Sequence, residues 1–91
     1  MNLGAFAYRL VRRIVLLLCI DDDDAAGLEM AAHSLKGACF NLGAEPTARA
    51  ALVLELKGRM GILKGALPEF EELQRQADRL DAALLDLNEA A

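Results

Sequence analysis

The last third of the chain carries a hydrophobic repeat of three and four residues, and this period constrains the fold more than any other feature. The repeat consists of Phe70, Leu73, Ala77, Leu80, Leu84 and Leu87. Such spacing is typical of a helix that buries one face against other helices. Glu71 and Arg75 lie four residues apart, in the order that favours an ion pair on a helix surface. The segment therefore predicts an amphipathic helix, with Pro68 near its start.

A first helix is predicted from about Leu3 to Ile20, where apolar residues recur at the same spacings. Its core stripe comprises Leu3, Phe6, Leu10, Ile14 and Leu17. Val15 and Leu16 widen this stripe, so part of the helix is expected to face a partner as well as the core. Asp21 to Asp24 then break the pattern. We interpret them as a solvated turn whose last aspartate caps the next helix, because nothing else in the sequence completes a metal coordination shell.

Two further helices are predicted in the middle of the chain. The second runs from about Ala25 to Leu42 and ends at Gly43, with a core stripe of Leu28, Ala32, Leu35, Cys39 and Leu42. The third runs from about Pro46 to Arg59, since proline is tolerated in the first turn of a helix. Ala50 to Leu54 is apolar all round, which predicts a central, buried helix. The connection that follows is marked by Gly58, Gly61 and Gly65.

Four amphipathic helices with short links predict a single all-α domain over residues 1–91, an antiparallel four-helix bundle with up-down-up-down topology. Composition agrees, because only 4% of the residues are aromatic and the apolar 55% is mostly Ala and Leu, which favour helices. A net charge of −4 argues against a nucleic-acid partner. The single histidine excludes any site that needs two imidazoles in one chain.

The sequence favours a cytoplasmic protein without a membrane partner, with a secreted form as the lesser alternative. Residues 14–20 form an apolar run after Arg12 and Arg13, but the run is far shorter than the roughly 20 residues that a membrane span needs. No small-residue cleavage site follows it. Two cysteines, Cys19 and Cys39, are too few for a disulfide framework.

His33 lies on the outward side of the second predicted helix. At about 100° per residue, His33 points about 140° away from Leu28, whereas the core residues cluster within about 40° of it. An outward stripe is normally charged, but this one is small or apolar around the imidazole, with Ala26, Met30, Gly37 and Phe40 as its other members. Gly37 costs a helix about 1 kcal/mol relative to Ala. Close approach of another molecule to His33 explains that cost, so the stripe predicts a docking surface.

The chemistry that fits this arrangement is nucleophilic. A neutral imidazole nitrogen accepts a phosphoryl group and passes it on. Lys36, one turn further and to one side, is placed to offset the charge of a phosphate. The sequence offers no nucleotide loop or magnesium ligand, so a partner has to bring the metal that phosphoryl transfer uses. A metal site of Cys19, His33 and Cys39 is disfavoured because Cys39 points to the core and His33 away from it.

These residues also resemble a known family. The run from Ala32 to Gly37 reads AHSLKG, and Asn41 to Ala44 reads NLGA. Together they resemble the signature of histidine-containing phosphotransfer (Hpt) domains, over roughly Gly27 to Leu87. Residues at spacings typical of that family follow downstream, namely Leu54, Glu55, Arg59 and Gly61.

The resemblance implies a monomeric four-helix bundle that relays phosphate in a two-component pathway. His33 would be the phosphorylated residue, Lys36 would stabilise the phosphoryl group, and Gly37 would give room for a response-regulator receiver domain. The receiver would contribute the aspartate and the Mg²⁺, a sensor or hybrid histidine kinase would stand upstream, and this chain would bind no cofactor. Phe40 departs from the family, which usually has a small residue there, and the first helix is unusually apolar.

Two other functions are weighed against the phosphorelay carrier. One is a helical interaction module in which His33 is an incidental surface residue. The other is the dimerisation and phosphoacceptor domain of a sensor kinase, which usually follows its histidine with an acidic residue and, shortly after, a proline. Here Ser34 follows, and the next proline is Pro46. The carrier is preferred because the His, Lys, Gly and outward apolar stripe coincide.

Overall fold

The computed structural model describes residue 13 and residues 15–90, apart from the side chains at positions 84, 85 and 87–90. Within that range the chain is all-helical, with four helices and no strand. Helix α1 covers residues 15–21 of the described part, and the three others are α2 (Ala25–Asn41), α3 (Glu45–Met60) and α4 (Ala66–Ala90). The predicted bounds of α2 and α3 are confirmed to within one residue. The predicted core residues Leu3, Phe6, Leu10 and Ile14 lie outside the described part.

Short connections end each helix with local hydrogen bonds. The Asp24 carboxylate accepts a hydrogen bond from the backbone N–H of Gly27 at 2.9 Å, which confirms the predicted N-cap of α2. Gly43 adopts a left-handed φ of 74°, and Ala44 donates its N–H back to the Cys39 carbonyl at 2.8 Å. This is the geometry that glycine allows after a helix, so the predicted end of α2 is also confirmed.

Gly58 lies inside α3, and the prediction that it marks the following connection is wrong. A Cβ placed on Gly58 would meet the backbone nitrogen of Glu29 at 2.6 Å and the carbonyl oxygen of Ala25 at 2.8 Å. Only glycine allows the backbones of α2 and α3 to approach so closely. This contact sets the separation of the two helices that carry the candidate site.

The core is formed by one face of each helix. The predicted stripe of α2 is confirmed at Leu28, Ala32, Leu35 and Cys39, all of which are buried. Leu42 is exposed, because it lies one residue beyond the end of α2 and no longer shares the buried face. In α3, Ala51 and Leu54 are fully buried but Val53 points outward, so the helix is not buried all round as predicted.

The prediction for α1 is wrong at its described end. Leu16 and Cys19 are buried, whereas Leu17 is exposed. Leu16 and Cys19 are three residues apart and share one helix face, and the seven-residue apolar run left the choice between neighbouring faces open to sequence reasoning. None of the described helices combines the length and apolarity that a membrane crossing requires.

Helix α4 buries Phe70, Leu73 and Ala77 as predicted, and Leu80 packs against the core. The side chains of Leu84 and Leu87 lie outside the described part. The predicted ion pair between Glu71 and Arg75 is not formed. Arg75 instead donates to Glu72, at 2.6 Å from its Nη2, because residues three apart on a helix are also neighbours.

Candidate functional site

The imidazole of His33 stands on the solvent side of α2, as the helical wheel predicts. Its side chain is 69% exposed, in the middle of a helix whose opposite face forms the core. The ring is nevertheless held in place from the neighbouring helix. This combination gives an accessible nucleophile with a restrained orientation.

The restraint comes from Glu55 on α3, whose side chain is only 1% exposed. His33 Nδ1 lies 2.5 Å from Glu55 Oε1, and Lys36 Nζ lies 2.6 Å from Glu55 Oε2. Each oxygen of one buried carboxylate therefore holds one base of α2. We call these three residues the Glu55 cluster.

Electrostatics fix the proton positions in this cluster. Hydrogen bonding from Lys36 lowers the pKa of the Glu55 carboxyl below its usual range, burial opposes this effect, and the His33 hydrogen bond and both charges reinforce it. Glu55 is therefore an acceptor-only carboxylate, and His33 must donate a proton from Nδ1. A neutral ring with its proton on Nδ1 keeps the lone pair on Nε2 free for reaction.

The other predicted docking residues lie on the same outward side of α2. Ala26, Met30, Gly37 and Phe40 are all exposed. A Cβ on Gly37 would find no atom within 4 Å beyond its chain neighbours and the backbone of its own helix, so no tertiary contact among the described residues requires glycine there. The role of this stripe in docking stays a prediction.

Lys36 is bound to Glu55. The sequence predicts a cation placed to offset the charge of a phosphate on His33, and in the structure the Lys36 side chain is only 20% exposed and pairs with Glu55. Its ammonium is therefore pre-positioned at the cluster by the same carboxylate that holds the ring. A second contact between the two helices lies one turn away, where Arg59 Nε donates to Glu29 Oε2 at 2.9 Å.

Sequence reasoning missed the part that Glu55 plays, although a signal was present. Glu55 lies on the face of α3 that also carries Ala51, Leu54 and Gly58, all buried. A carboxylate on a core-facing stripe has to find a partner, because an unpaired buried charge is very costly. That argument predicts that Glu55 pairs with donor side chains. Which side chains they are depends on how α2 packs against α3.

Metal chemistry finds no support in the described part of the chain. No group of three or more His, Cys, Asp or Glu residues there is arranged to hold a metal ion. Cys19 and Cys39 are both buried, while His33 is exposed, so the disfavoured three-residue site does not assemble.

Comparison with protein-family models matches residues 5–83 to the Hpt domain. Comparisons with curated proteins and with solved structures gave no match. Hpt domains are phosphocarrier modules of two-component phosphorelays, act through histidine phosphotransfer, and interact with receiver domains and histidine kinases. The match covers most of the chain and includes α2 and α3 with the Glu55 cluster. The chain belongs to the Hpt domain family.

Proposed function

We propose that this chain is a phosphorelay carrier that accepts a phosphoryl group on Nε2 of His33 and passes it to a response regulator. The donor is a phosphorylated receiver aspartate or a histidine kinase. The single observation that carries the proposal is the Glu55 cluster. A buried carboxylate holds Nδ1–H of an exposed imidazole, which leaves Nε2 as the free nucleophile.

The transfer balances without a proton donor or acceptor. The Nε2–P bond forms as the P–O bond to the receiver aspartate breaks, and the aspartate leaves as a carboxylate. The ring becomes a positively charged phosphoimidazolium that keeps its proton on Nδ1. The carboxylate of Glu55, at 2.5 Å from Nδ1, stabilises that positive charge. In the forward transfer to the next receiver, the same ring leaves as neutral imidazole.

Lys36 offsets the negative charge of the transferred group. Its ammonium is held at the cluster by Glu55 and carries three donors, one of which the carboxylate uses. The remaining donors can bind phosphoryl oxygens. The Mg²⁺ and the acceptor aspartate belong to the receiver in this proposal, because transfer relies on charge neutralisation and positioning beyond what one lysine supplies.

The docking surface in this proposal is the outward stripe of α2, formed by Ala26, Met30, Gly37 and Phe40. Its exposed side chains are small or apolar, and the absence of a Gly37 side chain lets a receiver approach the imidazole. Phe40 would restrict the choice of receiver. We place the reaction in the cytoplasm.

An antiparallel up-down-up-down bundle is the topology that we propose for the scaffold. Contacts between helices support it, because early residues of one helix meet later residues of the next. Glu29 of α2 lies against Gly58 of α3. Thr47, early in α3, donates to the Gln76 carbonyl of α4 at 3.3 Å.

Phosphotransfer from a phosphorylated receiver domain tests the function. The wild-type chain, incubated with a phosphorylated receiver and Mg²⁺, is expected to gain an acid-labile label. His33→Gln should gain none and should keep the helical content and melting temperature, since the imidazole is mostly exposed. Ser34→Ala is the matched control on the same turn and should label normally.

Label retained on His33→Gln would refute the role of His33. If no receiver or kinase labels the wild-type chain and the chain instead binds a helical partner, the interaction-module alternative is correct.

Docking has its own test at Gly37. Gly37→Leu should leave the fold intact, because a Cβ there meets nothing. It should slow transfer from the receiver, while labelling by the small donor phosphoramidate stays at the wild-type rate. Transfer from the receiver at the wild-type rate would contradict the docking surface.

A further inference from the structure

A second cross-helix pair runs parallel to the Glu55 cluster. Arg59 of α3 donates from Nε to Oε2 of Glu29 on α2 at 2.9 Å. Arg59 follows Glu55 by four residues, and Glu29 precedes His33 by four residues, about 6 Å along the helix axis. The Glu29–Arg59 pair and the Glu55 cluster are therefore neighbouring contacts between the same two helices, one turn apart.

The guanidinium of Arg59 retains most of its hydrogen-bonding capacity. Its side chain is 59% exposed, and within the described residues its two terminal nitrogens make no hydrogen bond. Glu29 raises the pKa of Arg59 through the hydrogen bond and its charge, and Glu55 contributes a weaker effect of the same sign. Arg59 therefore lies within the electrostatic reach of the Glu55 cluster and has donors free for an anion.

Phosphorylation of His33 changes the charge balance around the Glu55 cluster and the Glu29–Arg59 pair. A phosphoryl group brings about −1.5 to −2 charges at neutral pH. The phosphoryl group would stand near the carboxylates of Glu55 and Glu29. Lys36 is the cation paired with Glu55, and Arg59 is the cation paired with Glu29. Lys36 is already bound to Glu55, so the exposed guanidinium of Arg59 is the group with the most donors available.

We propose that Arg59 is a second cation for the phosphorylated state and that Glu29 competes with the phosphoryl group for it. This proposal rests on the proposed function. In the free chain Glu29 holds the guanidinium one turn from His33. After phosphorylation Arg59 shares its donors between Glu29 and the phosphoryl oxygens. Glu29 thereby limits how strongly the phosphoryl group is held, and it acts through Arg59 as a positioning residue.

The closeness of the two backbones keeps Arg59 within range. Gly58, the residue before Arg59, lies against the backbone nitrogen of Glu29. The Arg59 side chain therefore starts close to α2 and binds Glu29, which lies one helical turn before His33.

The ionisation of the phosphoryl group measures this contact directly. The full chain is phosphorylated with potassium phosphoramidate, and the phosphohistidine resonance is followed by phosphorus NMR as a function of pH. Arg59→Gln should raise the pH of the second phosphoryl ionisation by about half a unit, because a nearby cation favours the dianion. Glu29→Gln should lower it, since the guanidinium is released to the phosphoryl group.

Matched controls lie on the same helix. Arg49 and Glu45 form an exposed pair four residues apart on α3, and the variants Arg49→Gln and Glu45→Gln change the net charge by the same amounts. Both controls should leave the ionisation at the wild-type pH. The proposal is overturned if Arg59→Gln shifts the ionisation no more than Arg49→Gln does, or if Glu29→Gln matches Glu45→Gln.

The same experiment separates this proposal from the proposed function. If phosphoramidate labels His33 with the expected shifts but no receiver or kinase does, the proposed function fails and the Arg59 contact stands. If receivers transfer phosphate and the shifts are absent, only the Arg59 contact fails. Absence of any phosphohistidine after phosphoramidate treatment overturns both, because each needs a free nitrogen on His33.

Discussion

Among the described residues, two clusters of three side chains join helices, and the central charge is negative in one and positive in the other. In the Glu55 cluster a carboxylate that is 1% exposed holds two bases of α2, His33 and Lys36. In the other, the guanidinium of Arg13, which is 13% exposed, holds two carboxylates of α4. Each cluster has one charge of low exposure at its centre and two hydrogen-bonded partners around it.

The second cluster, which we call the Arg13 cluster, consists of Arg13, Asp78 and Asp81, with distances of 2.8 and 2.7 Å from the guanidinium. A guanidinium and two carboxylates that bind each other offer no free nitrogen for phosphoryl transfer. The Glu55 cluster differs in one member, because His33 has a second nitrogen that its partner does not use. The comparison shows that one arrangement, a central charge bound by two side chains of another helix, joins helices in the Arg13 cluster and also holds a reactive group in the Glu55 cluster.

Breaking the Arg13 cluster should have the largest effect on stability. Arg13→Met removes one charged partner each from Asp78 and from Asp81, the latter only 19% exposed, so the free energy of unfolding should fall by roughly 1–3 kcal/mol. The rate of phosphotransfer should not change below the melting transition. Urea unfolding measures the stability and a receiver transfer assay measures the rate. Slower transfer with unchanged stability would contradict the conclusion that the Arg13 cluster supports the fold and the Glu55 cluster supports the reaction.

Separating α2 from α3 should damage the Glu55 cluster and leave the Arg13 cluster intact. Gly58→Ala places a Cβ 2.6 Å from the Glu29 backbone nitrogen, and overpacking of this kind costs roughly 1–3 kcal/mol. Gly37→Ala is the matched control, because its Cβ meets nothing and the helix gains up to about 1 kcal/mol. Thermal melts of the two variants should move in opposite directions. Equal shifts would show that Gly58 is not a close-approach position.

Neutralising Glu55 should slow transfer more than it unfolds the protein. Glu55→Gln replaces a charged hydrogen bond to His33 by a neutral one, a difference of about 1–1.5 kcal/mol and hence about tenfold in rate. His33 and Lys36 can both turn toward water, so the loss of stability should be of similar or smaller size. Single-turnover transfer at saturating receiver measures the rate. An unchanged rate would remove Glu55 from the mechanism.

The smallest effect concerns acid stability. Because the pKa of Glu55 is lowered in the folded state, the unfolded chain binds the proton first as the pH falls through about 4.3. The stability that Glu55 contributes is therefore complete above about pH 5 and is lost as the pH falls through the lowered value. Denaturation of the wild type and Glu55→Gln between pH 3 and pH 7 should give curves that converge at low pH. Parallel curves would contradict the shift.

Much of the scaffold was predictable because it depends on local signals. The cap at Asp24, the stop at Gly43 and the apolar periods of α2 and α4 are properties of consecutive residues. The cap and the stop are confirmed, and the apolar periods are confirmed over the described side chains except at Leu42. The exposed position of His33 followed from the helical wheel alone. These features need no knowledge of how the helices pack together.

The errors arose where packing decides between local alternatives. Leu16 rather than Leu17 faces the core, because a continuous apolar run allows more than one buried face. Glycine often ends a helix, but Gly58 lies inside α3 and allows the α2 backbone to approach. Glu55 carries the cluster that defines the site, and its partners lie 22 and 19 residues away in the chain. Such pairing follows only from the approach of α2 to α3.

The protonation and phosphorylation state of the His33 ring nitrogens tests the central claim most directly. Long-range proton–nitrogen correlation spectra of the nitrogen-15-labelled chain distinguish Nδ1 from Nε2 before and after phosphorylation by a receiver. The structure predicts a proton on Nδ1 in the free chain, and phosphorus on Nε2 with the Nδ1 proton retained in the phosphorylated chain. Phosphorus on Nδ1, or a free-chain proton on Nε2, would contradict the account.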